Sequence, residues 1–140
     1  MSEILQANVL EDVVAEHNLL ALDVVVHESI DSTNNWSLQQ IKAARSIPFA
    51  CFAEEQTAGK GRRGKQWLMA AGSNIAMSLS WSFDPVCEYL HLLPLSIAMA
   101  IVDALEDLGL EDVQVKWPND IFVKGKKIAG ILIEAIPLKE

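Results

Sequence analysis

Gln56-Thr57-Ala58-Gly59-Lys60-Gly61-Arg62-Arg63-Gly64-Lys65-Gln66-Trp67 is the stretch on which the reading of the fold turns. Four cations and three glycines fall within 59–65, in a 140-residue chain that carries only 11 Lys+Arg against 19 Asp+Glu. Glycine permits backbone angles that set successive N–H groups on one concave side. Arginine and lysine add fixed and mobile positive charge. Such a loop suits an anion, above all a phosphate chain, and Trp67 at its end offers a flat face for a base. Stacking of that kind contributes roughly 1–3 kcal/mol.

Two familiar motifs nearly fit, and each would dictate a different fold. Gly59-x-Gly61-x-x-Gly64 has the letters of the dinucleotide fingerprint, which needs a helix beginning at the loop. Leu68-Met69-Ala70-Ala71-Gly72-Ser73-Asn74 follows instead, and the next apolar pattern is strand-like. Gly59-x4-Gly64-Lys65 resembles a P-loop, but Gln66 stands where a hydroxyl must hold magnesium. Neither a Rossmann nor a P-loop fold is expected. The remaining structural alternative is a solvated, mobile surface turn.

Outward from the loop the chain alternates strands and helices. Phe49–Glu54 reads as a buried strand delivering Gln56. Before it, Leu22–Glu28 is a strand candidate, and Asp31-Ser32-Thr33-Asn34-Asn35 opens a helix to about Arg45, its hydroxyls and carboxylate suited to capping. That helix tip also suits a polar ligand or an anion. Residues 3–18 read as an amphipathic helix ending at Asn18, with Val9, Leu10, Val13 and Val14 on its stripe. After the loop, Asn74–Ser82 alternates: Ile75, Met77, Leu79 and Trp81 on one face, Ala76, Ser78 and Ser80 on the other. The small face would either floor a pocket or lie under a helix. Pro94 to Leu108 is a helix with Leu95, Met99, Val102 and Leu105 as its buried stripe, stopped by Gly109. Val113–Lys116 is a short strand, Lys116-Trp117-Pro118-Asn119-Asp120 an extended turn, and Ile121–Lys124 and Lys126–Ala135 a hairpin around Gly125. The class is α+β, with a mixed, largely antiparallel sheet and helices packed on one side.

Composition narrows the functions. The chain is 51% hydrophobic, enough for one domain with a real core. A net charge of −8 argues against a general nucleic-acid binder, and the acidic N-terminal helix against a winged-helix DNA reader. No stretch is long and apolar enough to span a bilayer, so no membrane partner is expected. Cys51 and Cys87 lack CxxC spacing and read as reduced cytoplasmic thiols, Cys51 as core. Residues 1–41 and 66–115 contain no Lys or Arg, and eight of the 11 cations lie in 60–65 and 116–127. Two basic stretches in an acidic chain point to convergence on one anionic ligand.

Three stretches taken together carry a resemblance. Asp31-Ser32-Thr33-Asn34, the loop from Glu55 to Trp67, and Lys116-Trp117-Pro118-Asn119-Asp120 with Lys127-Ile128-Ala129-Gly130-Ile131-Leu132-Ile133-Glu134 closely resemble biotin protein ligases, over about residues 24 to 135. The resemblance implies a two-step reaction. Biotin carboxylate attacks the α-phosphate of ATP to give biotinyl-5′-AMP and pyrophosphate; a lysine of a biotin carboxyl carrier domain then displaces AMP. Biotin brings its own nucleophile, so the protein's work is electrostatic.

By resemblance, Arg62 and Lys127 carry the chemistry. Ser32, Thr33, Asn34, Gln56, Gly59, Lys60, Gly61, Lys127 and Gly130 bind biotin. Arg62, Arg63, Gly64, Trp67, Lys116, Asn119 and Asp120 bind the nucleotide, with Asp120 the candidate Mg²⁺ ligand. Lys60 and Lys65 stand where many relatives have arginine, which weakens bidentate phosphate contact. The family also continues with a glycine-rich strand and a small β-barrel domain. Residues 1–140 therefore read as a truncated catalytic domain, without that barrel and without the DNA-binding domain of bifunctional members. An exposed last strand would then offer an edge for homodimerisation. Two other functions stay open: a biotin- or adenylate-binding fragment without full turnover, and the related lipoate–protein ligase.

Overall fold

The computed structural model describes residues 5–17, 22–83 and 88–137. Asn18 and Cys87 lie outside them. The chain divides into two compact units, Met1–Phe83 and Asp84–Glu140.

In the first unit, helix α1 (Ala7–Glu16) precedes strand β1 (Asp23–Ile30), helix α2 (Thr33–Lys42), strand β2 (Phe49–Gln56) and strand β3 (Ala76–Ser80). β1 and β2 run parallel, joined by α2, and β3 pairs antiparallel with β2. The sheet is therefore mixed, as the alternation of strand and helix patterns requires. Register sets the two faces. Phe49 pairs with Ser80, Cys51 with Ser78 and His27 with Ala53, so these residues share one side. α2 covers that side: the Trp36 ring meets His27 at 5.1 Å and Phe49 at 5.9 Å, both edge-on. Arg45 closes the stack, its guanidinium 5.2 Å from both the Trp36 and Phe49 rings while it pairs with Asp23 at 2.6 Å. Phe49, Cys51 and Ala53 are fully buried beneath, and a buried Phe side chain stabilises by about 1.5–3 kcal/mol.

β3 shows why its small face is small. Ala76 and Ser80 are buried and Ser78 is half-buried, on the side that α2 covers, where Ser78 reaches Thr33. The large residues Ile75, Met77, Leu79 and Trp81 occupy the opposite, exposed side. On α1 the expected stripe is only partly covered: Leu10 and Val14 are half-buried, Val9 and Val13 are exposed, and no residue of the helix is fully buried. The Leu5 amide donates to the Glu54 carboxylate and ties this helix to β2.

The second unit holds helix α3 (Leu93–Asp107) and strands β4 (Val113–Lys116), β5 (Asp120–Val123) and β6 (Lys126–Gly130), an antiparallel meander. The α3 stripe needs correction. Ala98 and Val102 are buried, but Leu95 and Met99 are exposed. The reason is orientation. Met99 lies between Ala98 and Val102 along the helix, and successive residues are turned by about 100°, so the covered side is the one that carries Ala98 and Val102, not the one that carries Leu95 and Met99. Ile121, fully buried, is the centre of this smaller core. Gly109 at φ 85° ends α3, and Lys124 and Gly125, at φ 49° and 73°, form the tight two-residue turn between β5 and β6. β6 ends at Gly130 rather than at Ala135, so the expected edge strand is shorter than the apolar run predicts.

Candidate functional site

The first unit assembles one set of predicted site residues around the N-terminus of α2. Ser32 is the N-cap, its hydroxyl accepting from the Asn35 amide at 3.4 Å, and Ser32 and Thr33 are both buried. β1 and β2 are parallel and in register, with Ile30 opposite Gln56, so the end of β2 arrives beside the start of α2. Gln56 Oε1 accepts from the Thr33 amide at 2.9 Å and the Thr33 hydroxyl at 3.2 Å. Asn34 stands next to them with its side-chain oxygen buried.

The glycine–arginine loop begins from the same place. Thr57 N–H donates to Ile30 O and Ala58 N–H to Asp31 O, both at 2.8 Å. The loop is a small hairpin rather than a mobile turn: Trp67 N–H donates to Gly59 O at 2.8 Å, Gly61 N–H to Lys65 O at 2.7 Å, and Lys60 bridges Gln66. Its tip, Arg62–Gly64, is one 3-10 turn that reverses through Arg63 at φ 57° and Gly64 at φ 73°. Gly59 must be glycine. A Cβ there would lie 2.6 Å from the Trp67 carbonyl oxygen and 3.2 Å from Gln56 Nε2. Lys60, Arg62, Arg63 and Lys65 are exposed, and Trp67 is half-buried at the loop's base. Asp31 sits beside this charge. The Asn35 side-chain amide, bonded at 2.8 Å, with the Ser32 backbone and the nearby Lys60 charge, holds its carboxyl below the usual value of 3.8.

The second unit presents another set on the β4–β5 turn and β6. Lys116 pairs with Asp120 across the turn and its ammonium lies 5.3 Å from the Phe122 ring. The Trp117–Pro118 peptide is cis, and Trp117 is 79% exposed. Asn119 is clamped to Ile131: its carbonyl accepts from Ile131 N–H at 2.8 Å and its side-chain amide donates to Ile131 O at 3.1 Å. Lys127 Nζ lies 2.7 Å from Asp120 Oδ1. A bulge after Ile121 sets that meeting, since Ile121 pairs with Ala129 but Phe122 with Lys127. Gly130 faces Asp120 in the same ladder.

Residues 26–140 match the biotin/lipoate A/B protein ligase family. The chain belongs to that family. It is 41% identical over 112 residues to the bifunctional ligase/repressor BirA of Salmonella typhimurium, an alignment covering 80% of this chain and 35% of BirA. It is 38% identical over 112 residues to the biotin–[acetyl-CoA-carboxylase] ligase of Paracoccus denitrificans, covering 75% of this chain and 44% of that enzyme. The fold is similar to that of the biotin acetyl coenzyme A carboxylase synthetase of Helicobacter pylori, crystallised with bound biotinylated ATP, at a TM-score of 0.74 and 25% identity. That likeness covers 82% of this chain and 56% of the synthetase. The chain thus spans about a third to about half of the length of these family members.

Within this family member, the site residues named from sequence fall into two groups. Ser32, Thr33, Asn34, Gln56 and the loop from Gly59 to Trp67 stand together in the first unit, and Lys116, Asn119, Asp120, Lys127 and Gly130 in the second. Two side chains that touch the first group went unassigned. Ser78 donates to Thr33 Oγ1 at 2.8 Å, and Met69 Sδ lies 3.6 Å from Gln56 Nε2. The small-residue face of Asn74–Ser82 was the signal for Ser78. Nothing in the sequence marks Met69.

Proposed function

We propose that this chain binds biotin and ATP and forms biotinyl-5′-AMP, as part of a biotin protein ligase that then biotinylates a lysine of a carrier domain. The observation that supports the reading is that all three motifs lie inside the stretch matched by the family, in the order and spacing on which biotin ligases are built.

On this reading, Ser32, Thr33, Asn34 and Gln56 hold the neutral ureido ring, and the Gly59–Gly61 backbone folds over biotin. Arg62, Arg63, Gly64 and Trp67 hold the adenylate, with Lys116 and Asn119 on the nucleotide. Lys127 draws the biotin carboxylate and the α-phosphate together. Crowding two anions is the main electrostatic cost, and cations aimed at the developing charge offset it. The bond formed joins a biotin carboxylate oxygen to the α-phosphorus, and the bond broken releases pyrophosphate. In the second step the carrier lysine amine attacks the acyl carbon and AMP leaves.

Magnesium takes one or two carboxylates when phosphates supply the rest of its shell. Asp120 fits as that single carboxylate, although Lys127 neutralises it here, and no group of three acidic or metal-ligating side chains forms among the described residues. Bound there, the ion would neutralise phosphate charge. The reading places the reaction in the cytoplasm, in keeping with two cysteines that lack CxxC spacing. β6, one of the two outer strands of its sheet, is the proposed self-pairing edge of a homodimer.

The test is incubation with ATP, labelled biotin and a carrier domain. Pyrophosphate release and a labelled carrier support the reading in full. Binding of biotin without pyrophosphate release leaves a binding fragment. Use of lipoate in preference to biotin overturns the substrate assignment.

A further inference from the structure

Ser78, Thr33 and Gln56 form a chain of hydrogen bonds with only one consistent direction. The Thr33 backbone N–H is a donor and nothing else, so the Gln56 atom 2.9 Å from it must be the amide oxygen. The Thr33 hydroxyl meets the same oxygen at 3.2 Å and must give its single proton to it. The Thr33 oxygen is then left to accept, and Ser78 Oγ–H donates to it at 2.8 Å. Thr33 is buried, so water does not readily replace either partner. The far end of Gln56 is consequently its NH₂ group. It lies against Met69 Sδ, a weak acceptor, at 3.6 Å, in the space that Gly59 keeps open by having no side chain.

We propose that Ser78 is a positioning residue: by donating to the Thr33 oxygen it commits the Thr33 hydroxyl to Gln56 Oε1, adding to the bond from the Thr33 N–H that already orients this amide, and so steadies Gln56 as a hydrogen-bond donor that selects a carbonyl oxygen over a donor group on the ligand. The inference rests on the biotin-binding reading, in which the carbonyl is that of the ureido ring; the thioether of Met69 holds the place which a stronger acceptor would take.

The experiment compares wild type, Ser78→Ala and Ser78→Thr in calorimetric titrations with biotin and with its 2-imino analogue, whose protonated guanidinium at neutral pH presents only donors. Nitrogen–proton spectra of the Gln56 side-chain amide are recorded without ligand. Ser78→Ala should weaken biotin by about tenfold or less, the scale of one hydrogen bond, weaken the analogue less and leave ATP affinity unchanged. It should shift the Gln56 amide resonances, and Ser78→Thr should restore both. Equal weakening of the two ligands, or Gln56 resonances unmoved by Ser78→Ala, overturns the relay. Wild-type protein that binds no biotin defeats the functional reading, and the ligand-free spectra still decide the relay.

Discussion

The carbonyl oxygen of Gly59 accepts the amide hydrogen of Trp67 at 2.8 Å, closing a basic stretch of seven intervening residues into a hairpin. A loop of like charges would otherwise repel itself open. The backbone bond, with the one from Gly61 to Lys65, holds four cations on a short, ordered ribbon.

Replacement of Gly59 tests that closure. A Cβ 2.6 Å from the Trp67 carbonyl meets backbone, which cannot rotate away. Gly59→Ala should part the hairpin and push on Gln56 Nε2. Biotin affinity should fall at least about tenfold, a loss of roughly 1.4 kcal/mol, while circular dichroism stays that of the wild type. Unchanged affinity would show that the hairpin is not needed in its closed form.

Arg62 lies on the exposed tip of the same ribbon, away from the core. Arg62→Ala should abolish pyrophosphate release and leave the melting temperature within a few degrees, since surface substitutions usually change stability by no more than about 0.5 kcal/mol. An unaltered adenylation rate would remove Arg62 from its role.

Lys127 and Asp120 form a partly exposed pair at 2.7 Å. Asp120 Oδ1 is buried, and removing its cation leaves that charge uncompensated, so Lys127→Ala should fold but unfold at a lower denaturant concentration than the wild type. Both biotin and ATP should bind more weakly. Normal affinity for both would count against the assignment.

Asp31 makes a pH prediction. Its carboxyl is held below 3.8 in the folded protein by Asn35, the Ser32 backbone and Lys60. A lowered folded value means that the ionised form is favoured by folding, so the contribution is present above pH 3.8 and disappears as pH falls through the folded value. In Asn35→Ala the Asp31 titration, followed by carboxyl carbon NMR, should move up toward the ordinary range. An unmoved curve would assign the shift elsewhere.

Cys51 makes a chemical one. Burial pushes its thiol up to about 11, and the thiolate is the reactive species. In the native protein the Cys51 peptide should resist alkylation at mildly alkaline pH and react only after unfolding. Rapid native labelling would place this strand segment in solvent.

Much of the fold was legible because it depends on local periodicity. The strict alternation of Asn74–Ser82 separates a small face from a large one, and the structure places Ser78 and Ser80 on the α2 side. Pro94 and Gly109 bracket α3 with their own backbone preferences. The helix stripes were less reliable. Val9, Val13, Leu95 and Met99 have the right spacing, but spacing says which residues share a side and not which side the packing partner covers.

By itself the sequence determined the family, the loop's charge and the α+β class, since these follow from residue types at fixed separations. Tertiary structure alone decided that Ile30 lies opposite Gln56, which brings Thr33 within 2.9 Å of a glutamine 23 positions later. It also decided that a bulge after Ile121 sets Lys127 against Asp120. Both depend on strand register, where a slip of one residue turns every side chain to the opposite face, and register is a property of two paired segments that neither carries alone.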